Sequence, residues 1–180
     1  MLRLLITTTT LMTSSLSLAA VYNGASCKAI NGHYERVTYD DRGRIHNNTD
    51  YSVRVICPID RQDHNKKWTS LKVVVADRSN DANVSCDAYS AQTDGLGWKI
   101  TKSSSGSKPS AYASQTLTFG APNETRKDGS LYLVCTIPGR DTDGKSGILT
   151  YRIVEPCNSI PINVSDNFQQ PRYQYALDCK

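Results

Sequence analysis

Apolar and polar positions alternate along this chain in short runs, with clusters of turn residues between them. In the stretch YSVRVICPIDR, residues 51–61, the side chains Tyr51, Val53, Val55 and Cys57 fall on one side of an alternation of period two, as a half-buried strand requires. Residues 71–75 (LKVVV) are rich in β-branched side chains, and 131–137 (LYLVCTI) is strongly apolar. Residues 147–155 (GILTYRIVE) place Leu149, Tyr151 and Ile153 on one side. Further strands are expected at 33–40, 44–46, 84–92, 98–102 and 114–119. Asp41-Arg42-Gly43, the NNTD cluster at 47–50, residues 77–83, Thr93-Asp94-Gly95 and Pro138-Gly139 read as turns. The polar stretches 60–67, 103–110, 121–130 and 140–146 read as loops. Helix signals are nearly absent and no segment repeats.

Eight or nine short strands at this spacing predict an all-β fold. The expected architecture is a single antiparallel β-sandwich, jelly-roll or immunoglobulin-like, spanning 21–155. A proline directly after Cys57 removes a backbone donor and holds the cysteine extended, so Pro58 is expected to end its strand.

The two ends depart from that pattern. Residues 1–20 (MLRLLITTTTLMTSSLSLAA) combine an early cation, an apolar run and small terminal residues, the layout of a signal peptide. A lipoprotein anchor is not favoured, because Gly24-Ala25-Ser26-Cys27 lacks the leucine expected before such a cysteine. Residues 156–180 have weak strand character and read as a tail. No later run is long and apolar enough to span a membrane.

Export changes how the cysteines are read. Six follow the leader, Cys27, Cys57, Cys86, Cys135, Cys157 and Cys179. An even number in an oxidising compartment implies disulfides, although spacing alone leaves many pairings open. Cys86 with Cys135, both mid-strand, is the favoured pair, with Cys57 joined to Cys27. That leaves Cys157 and Cys179 to tether the tail. There is no Cys-x-x-Cys to suggest zinc or redox chemistry.

Two segments carry a resemblance. Cys57-Pro58-Ile59-Asp60-Arg61 follows an Asn- and Thr-rich turn, and Cys135-Thr136-Ile137-Pro138-Gly139 precedes the Gly147-Ile148 strand. This arrangement resembles a group of small secreted bacterial proteins with a Cys-Pro-Ile/Val segment ending in Arg and a late Cys-x-Leu/Ile-Pro. The resemblance covers roughly Cys27 to Val154 and implies an exported β-sandwich. It implies no activity and no catalytic residue, and the tail with Cys157 and Cys179 departs from it.

Charge narrows the partners. Without the leader, 20 Lys and Arg stand against 17 Asp and Glu, and they are scattered. No stripe suited to phosphates exists, so nucleic acid is not an expected partner. His33, His46 and His64 lack the spacing of a helical metal pair, and no Gly-x-Ser-x-Gly elbow is present. Asp141-Thr142-Asp143-Gly144 begins like a calcium loop but continues with Lys145 and no correctly spaced glutamate. No catalytic, metal or cofactor site is therefore expected. Four Asn-x-Ser/Thr triplets begin at Asn47, Asn83, Asn123 and Asn163, and an Asn-, Ser- and Thr-rich chain produces such triplets by chance.

The aromatic stock includes Trp68, Tyr89, Trp98, Tyr112, Tyr173 and Tyr175. Rings with a polar edge suit recognition surfaces. Trp68 and Trp98, near strand ends, are the expected ligand contacts, followed by Tyr173 and Tyr175. The reading that results is a secreted or periplasmic binding module for a carbohydrate or a protein surface. Its rivals are a secreted hydrolase assembled from loops and a structural subunit of an extracellular assembly.

Overall fold

The computed structural model describes residues 17–61, 68–91, 97–105, 114–121, 130–142, 144–156, 158–164 and 172–178; for 17, 18 and everything from 156 onward it describes the backbone alone. Two antiparallel sheets face each other. The first contains β3 (Val37–Tyr39), β4 (Ile45–Asn47), β11 (Gly147–Pro156), β6 (Ser70–Ala76) and β9 (Gln115–Gly120) in that order, and β1 (Ser17–Asn23) also pairs with β11. The second has the order β2 (Lys28–Ala29), β5 (Val53–Ile59), β10 (Ser130–Ile137), β7 (Ser85–Ala91), β8 (Gly97–Ser103). The fold is thus the antiparallel β-sandwich that the alternation implied.

Period-two burial builds the core. Val53, Val55, Cys57 and Ile59 of β5 point inward, as do Leu131, Leu133, Cys135 and Ile137 of β10. They meet Leu71, Val73 and Val75 of β6 and Tyr151 and Ile153 of β11. Both described disulfides lie in this core and in the second sheet. Cys27 bonds Cys57, and Cys86 bonds Cys135, its direct opposite in the β7–β10 ladder. Each ties neighbouring strands of one sheet. Cys157 and Cys179 lie outside the described residues.

Four expectations change. Pro58 does not end its strand: β5 runs on to Ile59, and Pro58 stands opposite Tyr132. The reason is one-sided pairing. The short β2 reaches only Val55 and Ile56, and the Pro58 carbonyl accepts the Tyr151 hydroxyl at 2.8 Å rather than a β10 donor. In extended backbone a residue's nitrogen and carbonyl face the same side, so the missing donor breaks no ladder. Tyr51 lies before β5 and is 74% exposed. Leu149 is displaced by a bulge between Ile148 and Thr150, so Ile148 takes its place facing inward with Tyr151 and Ile153, as expected of those two. Residues 34–36 form a 3-10 turn, leaving β3 as a short edge.

The termini also carry strands. β1 begins at Ser17, so residues 17–20 of the expected leader pair with Ile153–Pro156. The tail contains a hairpin of β12 (Asn158–Val164) and β13 (Arg172–Asp178) in a two-stranded sheet of its own. Among the described residues no helix is long and apolar enough to cross a membrane.

Polar residues fix the ends of the sandwich. Asn47 is fully buried, and its amide donates to the carbonyls of Tyr51, Ile137 and Pro138. That nitrogen is therefore occupied and closed to a glycan. Asp77, also fully buried, accepts the Ser104 hydroxyl and the backbone N–H groups of Ser79 and Val84, which orders the crossing from β6 to β7. Gly147 permits close approach of β4: a Cβ there would lie 2.3 Å from the Ile45 carbonyl oxygen.

Candidate functional site

Because the inward residues of the second sheet are fixed by burial, their neighbours lie on its outer face, where Val134 is nonetheless buried. Strand register lines these outward residues into rows. Pro58, Tyr132, Tyr89 and Lys99 form one row across β5, β10, β7 and β8. The next holds Lys28, Ile56, Val134, Asp87 and Thr101. A third holds Arg54, Thr136, Ser85 and Ser103.

The first row is aromatic at its centre. The rings of Tyr89 and Tyr132 stack with centroids 5.2 Å apart and planes 11° from parallel. The Lys99 ammonium lies 5.7 Å from the Tyr89 ring centroid, a cation–π arrangement. Lys99 also pairs with Asp87 at 3.0 Å, and Asp87 accepts the Thr101 hydroxyl at 2.6 Å. Burial by itself pushes the Asp87 carboxyl up. The Thr101 hydroxyl and the Lys99 ammonium outweigh that effect and hold it below the ordinary carboxylate value. Lys99 is raised in turn by its hydrogen bond to Asp87. The result is a solvent-facing aromatic pair beside a set of fixed polar groups on rigid strands. Such a surface can take a ligand with apolar faces and a hydroxyl-bearing edge.

The expected contacts fall elsewhere. Trp68 is only 3% exposed, and Trp98 is half-buried against it, edge to face with centroids 6.0 Å apart. Trp98 stands opposite the buried Ser90, so it faces the core. Both rings pack against the core. Tyr173 and Tyr175 are in β13, opposite Asn163 and Pro161. Their side chains, and Tyr112 and His64, lie outside the described residues. The alternation of 131–137 held the missing signal. Leu131, Leu133, Cys135 and Ile137 claim the inner face, which leaves Tyr132 outside and opposite Tyr89.

Among the described residues, candidate catalytic groups do not assemble. His46 contacts Asp40 through Nε2 at 3.3 Å, but its Nδ1 is buried without a hydrogen-bond partner against Gly147, where a Cβ would lie 2.7 Å away. No nucleophile among the described residues reaches that nitrogen. Asp141 accepts the backbone N–H of Asn80 and of Thr142, which lower its carboxyl and make it a loop latch. Among the described residues no group of His, Cys, Asp and Glu suits a metal ion.

No protein-family model matches the chain, and no curated protein matches it in sequence. The likeness is to solved sandwiches. The fold resembles that of a xylan-binding module, CBM15. The TM-score is 0.50 at 14% identity, over 79% of this chain and 97% of that one. A low-affinity xylan-binding module, CBM86, from Roseburia intestinalis is similar at TM-score 0.46 and 10% identity, over 77% of this chain and 96% of that one. A CBM36-1 domain of a multidomain xylanase from the hindgut metagenome of Trinervitermes trinervoides also scores 0.46, at 12% identity over 76% and 96%. At such identities the likeness is one of fold.

Proposed function

We propose that this chain is an exported glycan-binding module whose ligand lies on the outer face of the second sheet. The observation that carries the reading is the Tyr89–Tyr132 stack, held beside Asp87, Lys99 and Thr101 on adjacent strands. Tyr89 is sandwiched between Tyr132 and the Lys99 ammonium, so a sugar packs against the other face of Tyr132, over the exposed Pro58.

Export is supported by the leader composition and by disulfides, which persist in oxidising compartments. A hydrolase draws no support from the His46–Asp40 pair, which has no nucleophile beside it among the described residues. A fibre-forming role is countered at the β8 edge by Lys99 and Lys102, charges of the kind that blunt edge pairing.

The fold is shared with a xylan-binding module, so xylan is the first polymer to try. Affinity electrophoresis in gels containing soluble xylan measures retardation of the wild type, Tyr132→Ala and Tyr89→Ala. Tyr132→Ala is expected to weaken binding by about tenfold or more, the cost of losing a central aromatic contact, and Tyr89→Ala by less. Equal retardation of all three proteins would sink this placement of the site.

A further inference from the structure

The outer face of the second sheet is not electrically neutral. Its rows carry three cations, Lys28, Arg54 and Lys99, and one acid, Asp87. Asp87 is already committed, because it holds Lys99 at 3.0 Å and accepts from Thr101 and Tyr89. Lys28 and Arg54 are both exposed and have no acidic partner among the described residues.

These two cations sit close together. Lys28 is opposite Ile56, two residues from Arg54 on the neighbouring strand, a diagonal that places Cα positions roughly 7–8 Å apart. Arg54 is held by the β5–β10 ladder opposite Thr136, and its carbonyl accepts the Ile30 N–H at 3.0 Å. Both backbones are therefore fixed, and only the side chains need to settle. Along the same strand Arg54 lies two rows from Pro58, the floor of the sugar platform, and the hydroxyls of Thr136, Ser85 and Ser103 continue its own row. A chain crossing from the tyrosine row toward β2 meets first a ring face, then positive charge.

We propose that the glycan taken by this face is acidic, and that Arg54 and Lys28 receive its carboxylates. This rests on the glycan-binding reading above and names its substrate class. A neutral polymer has no use for two exposed cations on the binding face. A uronic-acid carboxylate matches the planar fork of a guanidinium, with the ammonium as a second point charge.

The test compares glucuronoxylan with the same polymer after reduction of its carboxyl groups to primary alcohols. Binding is measured by isothermal titration for the wild type, Arg54→Gln and the double variant Lys28→Gln/Arg54→Gln. Both sites are exposed, so the substitutions leave the core untouched. The wild type is expected to prefer the acidic polymer by about tenfold at low salt, the worth of one charge-assisted contact. The preference should shrink with added salt and vanish in the double variant. Equal affinity for both polymers would overturn the acidic assignment while leaving glycan binding intact. No binding to either would overturn both. A preference that survives in the double variant would remove Lys28 and Arg54 from the site. Tighter binding of an oligothymidylate than of glucuronoxylan would overturn the proposal in favour of a single-stranded nucleic acid, which the same rings and charges would also suit.

Discussion

Arg61 and Glu155 form an ion pair at 3.1 Å with side chains only 4% and 9% exposed, and it joins the end of β5 to β11 of the opposite sheet. The pair explains why the Cys-Pro-Ile-Asp segment finishes on arginine. It was not legible in the sequence, because the partners are 94 residues apart and Glu155 looks like an ordinary strand-end acid. Burial decides the energetics. Removing one partner takes the ionic contact from a charge in a desolvated site, whereas replacing both with apolar side chains removes the problem. Glu155→Ala is expected to lower unfolding stability by about 3–5 kcal/mol. The double variant Arg61→Leu/Glu155→Leu should recover most of that loss. Urea denaturation of the three proteins checks it, and a double variant as unstable as the single one would show that the pair acts through some other contact. Tyr132 was hidden differently. Its alternation was readable, but nothing local says that Tyr89 lies directly across from it.

At the scale of elements, the strands themselves were legible and their exceptions were not. The alternation in 51–59 and 131–137 survives intact, since burial on one face enforces it. The bulge at Leu149 shifts the phase of β11 by one residue, a change that only pairing with β6 on one side and β4 and β1 on the other can impose. β12 and β13 were read as tail because Pro161 and Asn163 weaken the strand signal, yet a hairpin supplies each with its partner. Its register bears on the last two cysteines. Asn158 stands opposite Asp178, and Cys157 and Cys179 each follow one step outward in the sequence. A disulfide between them is therefore expected. Peptide mapping without reductant should recover Cys157 linked to Cys179, and free thiols at either position, or linkage of either to Cys27, Cys57, Cys86 or Cys135, would rule out this closure.

For the whole molecule, two layers become one cooperative unit where tyrosines bridge them. The Tyr151 hydroxyl donates to the Pro58 carbonyl at 2.8 Å, and the Tyr22 hydroxyl donates to the Asp60 carbonyl at 2.5 Å. The two rings stack at 5.0 Å. Burial pushes the Tyr151 hydroxyl up to about 12, and raises Tyr22 and Tyr39 as well. A tyrosine whose folded value exceeds its unfolded value near 10 stabilises the fold fully below pH 10. That contribution is lost as pH rises from about 10 toward 12. Asp40, Asp87 and Asp141 are held low, so their contribution is present above their ordinary value and fades as pH falls through their folded values. Stability should therefore form a broad plateau with an alkaline limb set largely by the tyrosine clasp. Tyr151→Phe keeps the ring but removes the titrating hydroxyl and its bond. It should cost about 1 kcal/mol at pH 7, the net worth of one hydrogen bond, and flatten the alkaline limb. Thermal melts from pH 7 to 12 distinguish this from simple loss of packing. A variant as stable as the wild type at every pH would mean that Tyr151 contributes shape alone, and that the two sheets are joined by their core rather than by the clasp.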